Sequence, residues 1–293
     1  MQCMPPRLEE AEALDAGRVL YGVEADSARS LGSERDQVWM LLFRGQRVAV
    51  LKVSNPAESP ETLDMQTEAE LLANRLDPAL KVAQPRAPLA HIAAGHRARF
   101  VARDGQAHWV RCYGVLKGSH HDADVGPLSD ETLLEWGAAS ARLALTLRSF
   151  QHAATTRRLQ WDVQNAAMLR PLLKHVHDTH VHRLCVEALD VFDTRVACML
   201  PRLRHQIVHG DLNLGNVLLE HGRLSGIIDF GDMSHTALAC DIGVMICQLA
   251  NAHVARGVDE MLRSSYSHIS DVSGQIVDAP GVLMLLHTCA HSP

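Results

Sequence analysis

The feature that most constrains this chain is the stretch from Ile207 to Asp232, in which short apolar, β-prone runs alternate with polar loops. Val208 before the first loop and Val217-Leu218-Leu219 after it are expected to be buried. That pins the loop at both ends and leaves Asp211 and Asn216 available. Ile227-Ile228 reads as a further buried strand, which delivers Asp229 at its end. The expected result is a rigid pair of hairpin-like turns bearing two carboxylates and an amide.

Upstream, the apolar spacing from Leu8 to Leu20 predicts a short amphipathic helix. Val38 to Phe43 and Val48 to Val53 are β-prone runs joined by Arg44-Gly45-Gln46-Arg47, which reads as a β-hairpin. The breaks Asn55-Pro56 and Ser59-Pro60 precede a helical pattern over Glu61 to Leu76. Arg99 to Ala102 and His108 to Tyr113, separated by Asp104-Gly105, read as two more antiparallel strands. From Ser129 the texture changes to long helical patterns, Leu133 to Phe150 and Arg183 to Leu203, with no strand expected before Val217. The boundary falls near Gly114 to Gly126, so residues 1–113 are expected to form a sheet lobe and residues 114–293 a helical lobe with the two polar loops. Strands first and helices after make this an α+β chain in two lobes.

Composition narrows the function class. Of the 293 residues 47% are apolar and 21% charged, as in ordinary globular proteins, and each lobe is large enough for a core. A net charge of -6 supplies no broad basic stripe for nucleic acid, while leaving room for a nucleotide held by local donors. The seven cysteines are scattered, odd in number and without a C-x-x-C pair, so they read as reduced thiols. Met1 to Glu12 lacks the basic start and apolar run of a signal peptide, and no apolar stretch approaches the roughly 20 residues of a membrane span. A cytoplasmic location without a membrane partner is the expectation.

Phosphoryl transfer to an alcohol requires the parts that the Ile207 to Asp232 stretch provides. A carboxylate must position and deprotonate the hydroxyl, and oxygen ligands must hold magnesium against the phosphates. Magnesium keeps several waters and takes one or two protein carboxylates, a pattern that Asn216 and Asp229 fit. Asp211 is then free to act as base. The interval from Asp211 to Asn216 equals that of the protein-kinase loop H-R-D-x-x-x-x-N, and Asp229-Phe230-Gly231 is a literal D-F-G.

With His209-Gly210-Asp211 in place of His-Arg-Asp, the chain resembles the aminoglycoside phosphotransferase-like kinases. Within that group, Ile228 to Leu238 is similar to the hydroxylysine kinases and to kinase domains fused to bacterial class III aminotransferases. Ser33-Glu34-Arg35-Asp36-Gln37 resembles their nucleotide-loop motif, Leu51-Lys52-Val53-Ser54-Asn55 their lysine strand, and Trp161-Asp162-Val163-Gln164-Asn165 a segment of their helical lobe. The resemblance covers roughly Leu8 to Ala250. It implies a two-lobed protein-kinase-like fold, Mg2+ as cofactor, and ATP or GTP as phosphoryl donor.

By the same resemblance Lys52 would hold the α- and β-phosphates and pair with a helix glutamate, for which Glu68 is the choice and Glu70 the alternative. Backbone donors or Ser33 would meet the phosphates, since Gly32 stands without a G-x-G-x-x-G. Asp241 would brace the catalytic loop. Asp162 and Asp232 are candidates for holding a cationic amine, and Trp161 is read as core in preference to acceptor wall. The implied acceptor is a hydroxylated amino acid such as 5-hydroxylysine, with aminoglycoside, homoserine or choline-type alcohols as alternatives and a non-catalytic nucleotide-binding protein as the rival from another class.

Two segments stand apart from this reading. His175, His177, His180 and His182 invite a metal site, yet on a helix His175 and His182 share one face while the other two lie nearer another. His120 to Asp124 reads as a solvated loop between the lobes. From Asp271 onward the chain departs from the family pattern, so an altered acceptor wall is expected there.

Overall fold

The structure is a computed structural model that describes residues 4–33, 35–92, 95–121 and 128–252. The expected inter-lobe loop from residue 122, and the atypical stretch from Asp271, lie outside the described residues. The chain separates into two compact units, the first ending at Leu116 and the second beginning at Lys117.

The first unit begins with α1 (Glu10–Tyr21). Its N-terminus is closed by a capping box in which Glu9 and Glu12 exchange side-chain-to-backbone hydrogen bonds, and Gly22 ends it in the left-handed conformation at φ 64°. Next come β1 (Ser27–Leu31), β2 (Gln37–Phe43) and β3 (Gln46–Val53). The β2–β3 turn places Arg44 and Gly45 at φ 50° and 76°, the paired positive values of a hairpin turn whose twist matches its strands.

Helix α2 (Pro60–Leu76) follows, its first turn capped by Ser59 Oγ, which accepts from Thr62 N at 3.2 Å, with proline at N1. Strands β4 (Pro85–Arg86), β5 (Arg97–Val101) and β6 (Ala107–Tyr113) complete the unit. All pairings are antiparallel in the order β1-β2-β3-β6-β4, with β5 also on β6. The apolar face of α1 (Ala13, Ala16, Leu20) packs with Leu41, Ala49, Leu51 and Cys112 of the sheet in one core. Burial of these faces is what makes the alternating strands and the short helix stable together.

The second unit contains α3 (Asp130–Leu147), capped by Ser129, then 3-10 turns up to His175, and α4 (Thr179–Val191), which runs into one π-helical turn at Phe192–Val196. Four short strands follow: β7 (His205–Val208), β8 (Val217–Glu220), β9 (Arg223–Ile227) and β10 (Ser234–Ala237). The last described element is α5 (Leu238–Ala252). The expectation of no strand before Val217 is corrected by β7, which pairs antiparallel with β10 in the register Val208↔Ser234 to His205↔Ala237. Four residues are too few to show a period, and their partner strand lies beyond both polar loops.

Strands β8 and β9 form a separate hairpin. It is fastened to α3 by Glu135, which accepts from Leu224 N at 2.9 Å, and by Thr132 Oγ1, which donates to Gly222 O at 2.5 Å. Beneath β7, Ala141 and Ala144 of α3 pack with Val208, Leu238, Ile242 and Ile246. Thus each polar loop leaves a strand whose other face is fixed in the core. Among the described residues no helix is long and apolar enough to cross a membrane.

Candidate active site

In the second unit the loop after β7 turns at Gly210, whose φ of 82° is costly for any side-chain-bearing residue. A Cβ at this position would also collide with the carbonyl oxygen of Asp232, so the His209-Gly210-Asp211 sequence is the one that lets the two loops touch. The Gly210 N–H donates to Asp241 Oδ1 at 2.8 Å. Asp241 is buried, and burial pushes its carboxyl up to about 6, against the lowering effect of the Gly210 hydrogen bond. This is the bracing position that the family resemblance implied for Asp241.

The Asp211 carboxylate is clamped between two amides. Asn213 Nδ2 donates to Oδ1 at 2.6 Å and Asn216 Nδ2 donates to Oδ2 at 2.7 Å. Each oxygen keeps a lone pair for a further partner. Burial, followed by the nearby charge of Asp232, raises the Asp211 carboxyl to about 6, while the Asn213 and Asn216 hydrogen bonds and the Asp229 charge act more weakly. Asn213 itself is held by Gly215 N, which donates to its Oδ1 at 2.7 Å. Asn213 was not expected from the sequence, because neither kinase motif names that position.

His209 joins the two loops. Its fully buried ring stands edge-on to Phe230 at 4.8 Å between centroids, and Nε2 lies 3.1 Å from Ile228 O while Nδ1 lies 3.3 Å from Asp211 N. A carbonyl only accepts and a backbone N–H only donates, so these partners fix the Nε2–H tautomer. Beyond Ile228, Asp229 adopts φ 61° and ψ 79°, an unusual conformation for a residue other than glycine and one found where function holds the backbone under strain. Its Oδ1 accepts from Gly231 N at 3.0 Å. Arg157 braces the same turn, donating from Nε to Met233 O at 3.1 Å and from Nη2 to Gly231 O. Nothing in the local sequence marks Arg157 for that role.

This donor set suits a hard cation. Asn216 presents Oδ1 once its nitrogen is occupied by Asp211, and Asp229 adds a carboxylate oxygen, which is the oxygen-only, water-retaining ligation that Mg2+ favours. Among the described residues no group of three or more His, Cys, Asp or Glu is arranged to hold a metal by itself, and the His175 to His182 segment forms none.

Two expectations change at the neighbouring recess, which Trp161, Val208, Gly210, Asp232, Ser234 and Thr236 help to line. Asp162 is buried there and all four of its lone-pair positions are filled: Gln164 N at 3.1 Å, Gln164 Nε2 at 2.6 Å, Ser234 Oγ at 3.2 Å and Thr236 Oγ1 at 2.8 Å. It ties the 3-10 turn to β10 and is not an open anion for a substrate. Trp161, expected in the core, is 53% exposed. Asp232 is half-buried at the recess.

In the first unit Lys52 on β3 is nearly buried and its Nζ lies 3.2 Å from Asp36 Oδ2. The helix-glutamate choice is corrected by helical phase: Glu68 points to solvent, whereas Glu70 is 3% exposed. Ser33 is exposed and its Oγ accepts from Asp36 N at 3.3 Å, closing a turn ahead of β2.

The chain is similar to known proteins in sequence pattern and in fold. The sequence pattern of the phosphotransferase enzyme family (APH) matches residues 27–270. The hydroxylysine kinase of Mus musculus is 25% identical over 268 residues, spanning 82% of this chain and 69% of the mouse protein. Among solved structures, a microcompartment-associated aminopropanol kinase is similar at a TM-score of 0.70 and 17% identity, covering 95% of this chain and 86% of its own. An amicoumacin kinase in complex with AMP-PNP, Ca2+ and amicoumacin is similar at 0.67 and 18%, covering 97% and 85%. The antiparallel sheet, the helical second unit and a family pattern that spans most of the chain make this protein a small-molecule kinase belonging to the APH phosphotransferase family.

Proposed function

We propose that this kinase transfers the γ-phosphoryl group of ATP or GTP to the hydroxyl of a small amine-bearing molecule, with a hydroxylated amino acid such as 5-hydroxy-L-lysine as acceptor. The observation that carries the reading is the amide-clamped Asp211 carboxylate, held between Asn213 and Asn216 one loop away from Asp229. A carboxylate so fixed accepts a hydroxyl hydrogen in one geometry, and its pKa of about 6 makes it a better base than an ordinary aspartate at neutral pH.

In the proposed reaction the acceptor hydroxyl donates its proton to Asp211 as its oxygen bonds to the γ-phosphorus. The bond from that phosphorus to the β–γ bridging oxygen breaks, and the nucleoside diphosphate leaves. Asn216 Oδ1 and Asp229 would hold Mg2+, which when bound supplies charge neutralisation for the phosphates. Lys52, with Glu70 as its helix partner, would hold the α- and β-phosphates. Arg157 and His209 keep the two loops at a fixed spacing, so that base and metal ligands need no reorganisation as charge develops.

The acceptor assignment is supported by the names of the relatives, since hydroxylysine and aminopropanol are both amino alcohols. It also fits Asp232, which brings negative charge to the recess beside Asp211 where Asp162 has no capacity left. The test is a transfer assay of the purified protein with ATP and GTP against hydroxylysine, 1-amino-2-propanol, homoserine, choline and an aminoglycoside. Turnover fastest with a hydroxylated amino acid supports the proposal. Faster turnover of another alcohol replaces the acceptor, and binding of nucleotide without transfer to any acceptor supports a non-catalytic role.

A further inference from the structure

Asp36 stands two residues before Val38, the residue that pairs with Lys52 across the β2–β3 ladder, so one hairpin carries both charges. Its two oxygens are divided between two tasks. Oδ1 accepts from Asn55 N at 2.8 Å, and Oδ2 lies 3.2 Å from Lys52 Nζ.

Asn55 is buried and reads the same turn with its side chain: Nδ2 donates to Arg35 O at 2.9 Å, and Oδ1 accepts from Ala57 N at 2.9 Å. Arg35 then reaches Glu58. The Arg35-Asp36 turn is therefore stitched to the segment leaving β3 at several points, and the Asp36 carboxylate has little freedom. Its side chain is 13% exposed and that of Lys52 11%.

A carboxylate in this place is chemically unexpected if it only closes a turn, because it brings negative charge next to the lysine proposed to meet phosphates. A pair this well screened from water is also no general aid to stability, since apolar residues of like volume serve as well. An ammonium has three donors, and fixing one on Asp36 aims the other two.

We infer that Asp36 is a positioning residue that holds the Lys52 ammonium aimed at the nucleotide phosphates, in addition to any partner on α2. The inference rests on the proposed nucleotide role of Lys52. It makes Arg35-Asp36 a lysine-orienting turn, with Ser33 serving that turn by accepting from Asp36 N and not serving a phosphate.

The experiment is calorimetric binding of magnesium-nucleotide to wild type, Asp36→Asn, Asp36→Glu and Lys52→Met, with thermal denaturation of each and acceptor KM for those that turn over. Asp36→Asn is expected to weaken nucleotide binding by about tenfold, the scale of one charge-assisted hydrogen bond. Acceptor KM should stay within about twofold, and Asp36→Glu should recover part of the loss, with its longer arm still bearing the charge. A purely structural aspartate would lower the melting temperature and raise both constants together, and Asp36→Glu would not rescue. If Lys52→Met weakens binding while Asp36→Asn leaves it unchanged, the inference is overturned and the role of Lys52 stands. Unchanged binding in Lys52→Met overturns both. Should Asp36→Asn fail to fold, Asp36→Glu with wild-type acceptor KM and weakened nucleotide binding supports the inference, and wild-type values for both overturn it.

Discussion

Around Lys52, in the first unit, charges sit beside their opposites: Lys52 with Asp36, Arg35 with Glu58, and Arg97 with Asp64. Around Asp211, in the second unit, carboxylates face one another. Asp232 and Asp229 both raise the Asp211 carboxyl, and Asp211 raises Asp241 in turn. The first arrangement orients a cation that is already neutralised. The second concentrates negative charge, which under the proposed function an incoming cation, either Mg2+ or the acceptor's amine, would relieve. The difference separates a region built to fix one donor's direction from a region built to respond to binding.

Breaking the acidic cluster at its centre should have the largest effect. Asp211→Asn keeps the shape and one of the two amide contacts, sets donor against donor at the other, and removes the proposed base, so kcat should fall by about 10²–10⁴-fold in the transfer assay.

The next effect is on stability and pH. Asp241 has a native pKa of about 6 against an ordinary 3.8, so between these values the native state holds a proton that the unfolded state has lost. The contribution is fully present below pH 3.8 and is lost as pH rises through 6. It corresponds to about 3 kcal/mol over the window. Guanidinium unfolding from pH 4 to pH 7 should show this decline together with that of Asp211, and Asp241→Asn should shrink it to the Asp211 share.

Gly210→Ala comes third. The positive φ and the collision with the Asp232 carbonyl should lower stability by about 1–3 kcal/mol and reduce turnover, measured by denaturation and by the transfer assay. The smallest effect sharpens the contrast from the other side. Ser59→Ala removes the α2 cap and should reduce stability by about 1 kcal/mol while leaving the pH dependence of the acidic cluster unchanged.

How far the molecule was legible in its sequence divides along physical lines. The β2–β3 hairpin, α1, α2 and the β5–β6 pair follow from period and turn chemistry, and their strands and helices lie within a few residues of the expected spans. Strand β1 was not legible because Ser27 to Leu31 is a polar edge strand without alternation, and β7 because its partner β10 is remote in sequence. At the site, Asp211, Asn216 and Asp229 stood out as a spaced pattern of chemistry-bearing residues. Glu70 did not, since choosing it over Glu68 depends on helical phase against a sheet that one sequence does not fix. Arg157 and the four-fold occupied Asp162 escaped because their partners lie many residues away, and Asn213 because neither kinase motif names its position.

The most direct test follows phosphoryl transfer by 31P NMR in wild type and Asp211→Asn, with magnesium-nucleotide affinity measured on the same samples. The account predicts an acceptor phosphomonoester signal in wild type, its near-complete loss in Asp211→Asn, and affinities within about twofold of each other. Transfer by Asp211→Asn at the wild-type rate would contradict it.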